Sequence, residues 1–177
     1  MAHSGAVLEA EHEVRRLSVD VGVPYDVFRG RYEQAVPKVD EDALARMIKD
    51  EAGWDEMLRA ASANTPHNFM IYWSLDVAPI MRLAGDRLRC VEYLMGDHTT
   101  AERMYRHDPA VMLYAPLRTA IHEDAEGTTW FSVDQPSAAF AAFDDPRITA
   151  VGVELDHKLA ALLEHLDVPV PERLVSG

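Results

Sequence analysis

Cysteine is almost absent: Cys90 stands alone in 177 residues. No internal disulfide can form, and a reducing cytoplasm is the economical expectation. Long apolar runs are missing too. None approaches the ~20 residues that a membrane-spanning helix needs, and Met1 to Ala10 lacks the basic and apolar regions of a secretory leader. Basic residues are scarce, with 17 Lys and Arg against 30 Asp and Glu, a net charge of −13. Binding along nucleic-acid phosphates, or on an anionic membrane, requires a basic face, so neither partner is expected. Motifs of established chemistry are also lacking. There is no phosphate-cradling Gly-rich loop, no Gly-x-Ser-x-Gly elbow, no His-Glu-x-x-His pair and no Cys-x-x-Cys. The eight histidines are scattered at spacings that match no metal-ligand signature.

What is present suits one globular domain over 1–177. Hydrophobic residues make up 48% of the chain, and the length suffices for a proper core. A first strand within 12–21 and a helix opened by Pro24 fill 11–37, with Tyr25, Phe28, Tyr32 and Val36 at helical spacing. Two helical stretches separated by Gly53 occupy 38–66, the first carrying Leu44, Met47 and Ile48, the second Trp54, Met57, Leu58 and Ala61. Phe69 to Leu75 reads as a strand, with Phe69, Ile71, Trp73 and Leu75 on one face and Met70, Tyr72, Ser74 and Asp76 on the other. Leu88 to Met95 is the next strand, followed by a short helix from His98 to Arg106 that Asp97 can cap. Val111 to His122 reads as a long strand containing Pro116, Glu123 to Gly127 as a hairpin turn, and Thr128 to Val133 as the returning strand. Asp145 and Pro146 open a final helix, where Ile148, Val151, Leu155, Leu159, Leu162 and Leu166 form one stripe while Asp156, Lys158 and Glu164 are expected to face water. Residues 167–177 form a tail. Strands that pair antiparallel with helices on one side make an α+β two-layer fold.

The stretch from Glu92 to Pro136 adds to this reading. Gly96-Asp97-His98, a short helix, Ala115-Pro-Leu-Arg118, the acidic turn Glu123-Asp-Ala-Glu-Gly127 and a strand ending near Asp134 follow one another. That order resembles the core of the domain-of-unknown-function family 302, over roughly residues 67–166. The resemblance implies a TATA-binding-protein-like arrangement, β-α-β4-α, in which a curved antiparallel sheet grips the long C-terminal helix. It also implies that 38–66 is a helical insertion. The chain departs from the family pattern in several places. Leu75-Asp76-Val77 lacks the histidine that often ends Ile-Asp-His, Gly-Asn-Pro becomes Gly96-Asp97-His98, and Tyr114 and Arg118 replace an Asp and a Lys.

Candidate chemistry centres on His98 and Asp97, where a strand ends and a helix begins. Free N–H groups there can hold an anion, and an imidazole near its ordinary pKa can act as base or ligand. Arg118 is suited to a carboxylate, either of a ligand or of Glu92 or Asp134 across the strands. Tyr72, Trp73, Tyr93, Tyr114, Trp130 and Phe131, with Met70, Met95 and Met112, exceed what one helix layer can cover, which suggests an interface or a groove. The leading expectation is therefore a homodimer that binds a small apolar or aromatic metabolite between the sheet and the inserted helices. Glu92, Tyr72, Tyr93, Tyr114 and Arg118 are the candidate ligand-binding residues. An acid–base enzyme of isomerase, cyclase or hydrolase type, using His98 and Asp97, is the alternative. The cofactor is left open: His98, Cys90 and the methionines are ligand types that haem or a transition metal accepts, but their spacing defines no site.

Overall fold

The structure, a computed structural model, describes residues 5–176; Met1 to Ser4 and Gly177 lie outside the described residues. Five strands form one antiparallel sheet: β1 (Arg16–Asp20), β2 (Met70–Asp76), β3 (Cys90–Gly96), β4 (Leu117–Glu123) and β5 (Thr129–Asp134). Their order is β1-β5-β4-β3-β2, so the first and second strands in sequence end on opposite edges. The helices are α1 (Tyr25–Ala35), α2 (Glu41–Lys49), α3 (Trp54–Asn64), α4 (Ala78–Met81), α5 (His98–Tyr105), α6 (Pro136–Phe140) and α7 (Pro146–His165). Among the described residues, no helix is long and apolar enough to cross a membrane.

Alternation decides which face each strand buries. Val91, Tyr93 and Met95 of β3, Leu117, Thr119 and Ile121 of β4, and Phe131 and Val133 of β5 point inward and are buried. The apolar faces of α1 and α7 join them in one continuous core. Tyr32 of α1 sits at its centre, tilted against Tyr93 and Phe131 at centroid separations of 4.9 and 5.7 Å. Its hydroxyl meets Met95 Sδ at 3.0 Å and Thr119 Oγ1 at 3.1 Å, so the buried phenol is not left unpaired. The stripe on α7 is buried as expected, and Leu159 is fully enclosed.

The structure changes four expectations. First, β2 carries a bulge: Ile71 pairs with Met95 and Trp73 with Leu94, leaving Tyr72 as the extra residue. A bulge reverses the alternation beyond it. Ile71 therefore lies in the core, while Trp73 and Leu75 turn to the outer face and are exposed. Second, the stretch before Pro116 is not strand. Asp108 caps a 3-10 turn at Pro109–Leu113, and β4 begins only after the cis peptide Ala115–Pro116. Third, Asp156 does not face water; it is 2% exposed and accepts hydrogen bonds from the Ser137 backbone N–H and hydroxyl and from Gln135 Nε2. The reason is α6, which the sequence pattern did not reveal: α7 buries a second face against it, and Gly152 lies under Phe140 there. Fourth, Lys158 is half-buried, bonded to Thr100 Oγ1 and paired with Glu154.

The edge of β2 is not left bare. Ile71 donates its N–H to the Pro37 carbonyl and accepts from the Val39 N–H, a short parallel bridge with the segment after α1. Such cover blocks edge-to-edge pairing. It also fixes the point from which α2 and α3 depart. Asp40 caps α2 by accepting from the Ala43 N–H. Glu51 at φ +51° and the extended Gly53 turn the chain into α3.

Candidate groove at the sheet end

Helices α2 and α3 do not cover the outer face of the sheet. They stand over the turn at Gly96-Asp97, against α5 and the end of β2. Between them and the body lies an apolar groove of about 480 Å³. Leu44 and Ile48 of α2, Trp54 and Met57 of α3, and Met104 of α5 are among its walls, and Leu155 of α7 reaches it from the core. The rim is apolar as well: Ile48 is 67% exposed and Trp54 45%. A smaller cavity of about 280 Å³ lies beneath α2, and Leu44 and His98 border both spaces.

The polar groups of this site form one small network. The Tyr72 hydroxyl accepts the His98 backbone N–H at 3.0 Å and meets His98 Nδ1 at 2.8 Å. Burial pushes the phenol up to about 12, so it stays protonated. With the Tyr72 hydroxyl accepting the backbone N–H and donating its own proton to Nδ1, both of its roles are filled and the imidazole proton sits on Nε2. His98 Nε2 has no partner and is shielded from solvent. Burial lowers the pKa of His98, against a smaller opposing pull from Asp97, so the ring is neutral at neutral pH.

Asp97 is occupied by its own helix. Its carboxylate accepts the Thr99 and Thr100 N–H groups and both of their hydroxyls. Burial alone would raise its pKa, but these hydrogen bonds outweigh it and hold the group below the usual range. With the His98 N–H on Tyr72 and the Ala101 N–H on the Asp97 carbonyl, the first turn of α5 has no donor left for an anion. The cations beside α5 are paired too: Arg106 with Glu102, Arg103 with Glu154, and Lys158 with Glu154.

The structure thus brings together three of the expected site residues: Tyr72, Asp97 and His98. The other four lie elsewhere. Glu92 and Arg118 face outward on β3 and β4, where they pair at 3.1 Å. Tyr93 faces the core and donates to Glu33 at 2.8 Å. Tyr114 packs edge-on against Phe140 and Phe143 and meets His12 at 3.0 Å. Strand alternation explains Glu92, Tyr93 and Arg118, and the 3-10 turn explains Tyr114. Cys90 lies at the far end of β3 from His98, its thiol pKa raised by burial and then by Glu92 and Asp76. Among the described residues, no group of three or more His, Cys, Asp or Glu is placed to hold a metal ion. Sequence reading missed Leu44 and Ile48 as walls. Their four-residue spacing marked an apolar face, but nothing in it told a groove wall from a core contact.

A family model, "Domain of unknown function DUF302", matches residues 51–166. The match spans α3 through the end of α7. No curated protein sequence matches the chain. Among solved structures, the chain is similar to an uncharacterized conserved protein DUF302 from Bacillus stearothermophilus. The two share 16% identity with a TM-score of 0.61, over 85% of this chain and 97% of that one. At such identity the likeness shows the fold.

Proposed function

We propose that this chain, which belongs to the domain-of-unknown-function family 302, binds a small, mostly apolar or aromatic molecule in the groove under α2 and α3. The observation that carries this reading is the groove itself: an apolar space of about 480 Å³ whose rim exposes Ile48 and Trp54 to water. Small-molecule sites are concave, mostly apolar and ~300–1,000 Å³ in volume, with few polar groups placed to orient the ligand. Here that group is His98. The polar set supports binding better than acid–base catalysis. Asp97 is committed to capping, and Glu92 and Arg118 pair on the outer sheet face, so His98 would act without a second free group to polarise a substrate.

The neutral dye Nile red tests the groove. Its fluorescence should rise on binding the purified protein. Ala101→Trp, which fills the groove from α5, should abolish the rise while circular dichroism shows an intact fold. No binding by the parent protein, or full binding by a folded Ala101→Trp, would sink the reading.

A homodimer through the outer sheet face is a second proposal, carried by a different observation. Trp73 and Leu75 are exposed there, and the charges beside them, Arg118 and Glu92, pair with each other. On a chain of net charge −13, that face offers a second copy little like-charge repulsion. Light scattering on a size-exclusion column decides it: a dimer that Trp73→Glu splits supports the proposal, and a monomeric parent protein refutes it.

A further inference from the structure

The polar atoms of the groove narrow the chemistry of its ligand, and this step rests on the groove reading above. His98 Nε2 is buried without a partner. An orphaned donor in a native structure calls for an explanation, because leaving it unpaired is costly. Its other ring nitrogen is held by Tyr72, so the ring cannot turn without losing that bond at 2.8 Å. His98 borders both cavities, as does Leu44 of α2.

Helix α2 is less tied to the body than α3, which buries Ala61. None of the α2 residues is buried. Among the described residues, its side-chain hydrogen bonds are limited to the Asp40 cap, and it forms no ion pair with the body. It is bounded by Asp40 on one side and by Glu51 and Gly53 on the other. Its half-buried side chains are Ala43, Leu44 and Met47, set over two partly empty spaces.

Charge restricts the ligand further. The carboxylates at the groove, Asp97 and Glu102, are already satisfied, the first by four donors and the second by Arg106. The cations beside α5 are paired, and among the described residues no Lys or Arg lines either cavity. A charged ligand would leave water without a counter-charge to meet it.

We infer that the groove takes a neutral, mostly apolar molecule bearing a carbonyl-type oxygen, and that this oxygen accepts a hydrogen bond from His98 Nε2–H when α2 lifts and closes over it. No bond is made or broken; His98 is a binding residue and Tyr72 a positioning residue that fixes the tautomer.

Three matched probes test this by equilibrium dialysis: 2-acetylnaphthalene, 2-ethylnaphthalene and 2-naphthoate. The ketone should bind about three- to tenfold more tightly than the hydrocarbon, the worth of one net hydrogen bond, and the naphthoate more weakly than either. The gap between ketone and hydrocarbon should close in His98→Leu. In long-range proton–nitrogen NMR, His98 should be the Nε2–H tautomer, and its signal should move with the ketone only. Equal affinities for ketone and hydrocarbon, a gap that survives His98→Leu, or tightest binding of naphthoate would overturn the inference and leave the groove reading standing. If neither naphthalene nor Nile red binds, the groove reading falls, and this inference with it.

Discussion

Along α7, nine residues from Ile148 to Leu163 are buried; along α2, none is. Yet both helices carry an apolar stripe at three- and four-residue spacing. The difference lies in what each stripe meets. The stripe on α7 lies against a sheet and two helices, and the facing side chains close around it. The stripe on α2 meets the end of the sheet, where Gly96 and the start of α5 leave space unfilled. Periodicity reports that a helix has an apolar side. It does not report whether that side is packed, and dispersion contacts are lost wherever a gap remains.

Substitutions should separate the two helices sharply. Leu159→Ala on α7 should lower stability by roughly 2–5 kcal/mol, read by denaturant unfolding. Leu44→Ala on α2 should stay within about 1 kcal/mol, since it removes a half-buried side chain beside a cavity. Equal losses would mean that α2 is part of the core after all. The α6–α7 contact sharpens the picture further. Asp156→Ala strands the Ser137 and Gln135 donors in a buried place and should cost about 1–3 kcal/mol.

Two glycines give a paired measurement on helices of the body. A Cβ at Gly152 would meet Phe140 Cβ at 3.0 Å and Ser137 Cα at 3.1 Å. Gly152→Ala should therefore destabilise, by about 1–3 kcal/mol, despite alanine's better helix propensity. Gly30 in α1 has open space around it, so Gly30→Ala should stabilise by about 0.5–1 kcal/mol. Thermal melts of the two variants should move in opposite directions.

Acid should bring a smaller change. Burial lowers the pKa of His98, His67 and His122. The unfolded chain then takes up protons before the folded one as pH falls. The stability these groups contribute is complete above their ordinary value of about 6.5 and declines below it. Unfolding followed from pH 7.5 to 5.5 should show the decline, and His98→Gln should flatten part of it. A profile that rises toward pH 5.5 would contradict the burial of these rings. Hydrogen exchange reads the smallest energies: α2 amides should exchange through local opening, well before those of α7.

The order of the body's main strands and helices was legible from alternation, helical spacing and turn residues, and the resemblance to family 302 supplied their arrangement. Gly53, Asp97, Asp145 and Pro146 marked helix boundaries that the structure retains. The bulge at Tyr72 was not legible, because one extra residue leaves no mark in composition and yet turns Trp73 and Leu75 outward. Nor was α6, too short for a period to show, although it draws Asp156 into the interior. The site divides in the same way. His98 and Asp97 stood out by their place at a strand end. Tyr72 joins them through the bulge, and Tyr93 leaves them because its neighbour Glu92 takes the outer face.

Local chain chemistry by itself determined where helices start, which strand residues share a face and that the surface is acidic, since these depend on neighbours a few residues apart. Only the tertiary structure decided which apolar faces are packed and which border empty space. That depends on the shapes of elements far apart in sequence, and here it leaves α2 resting over a groove with one unpaired donor beneath it.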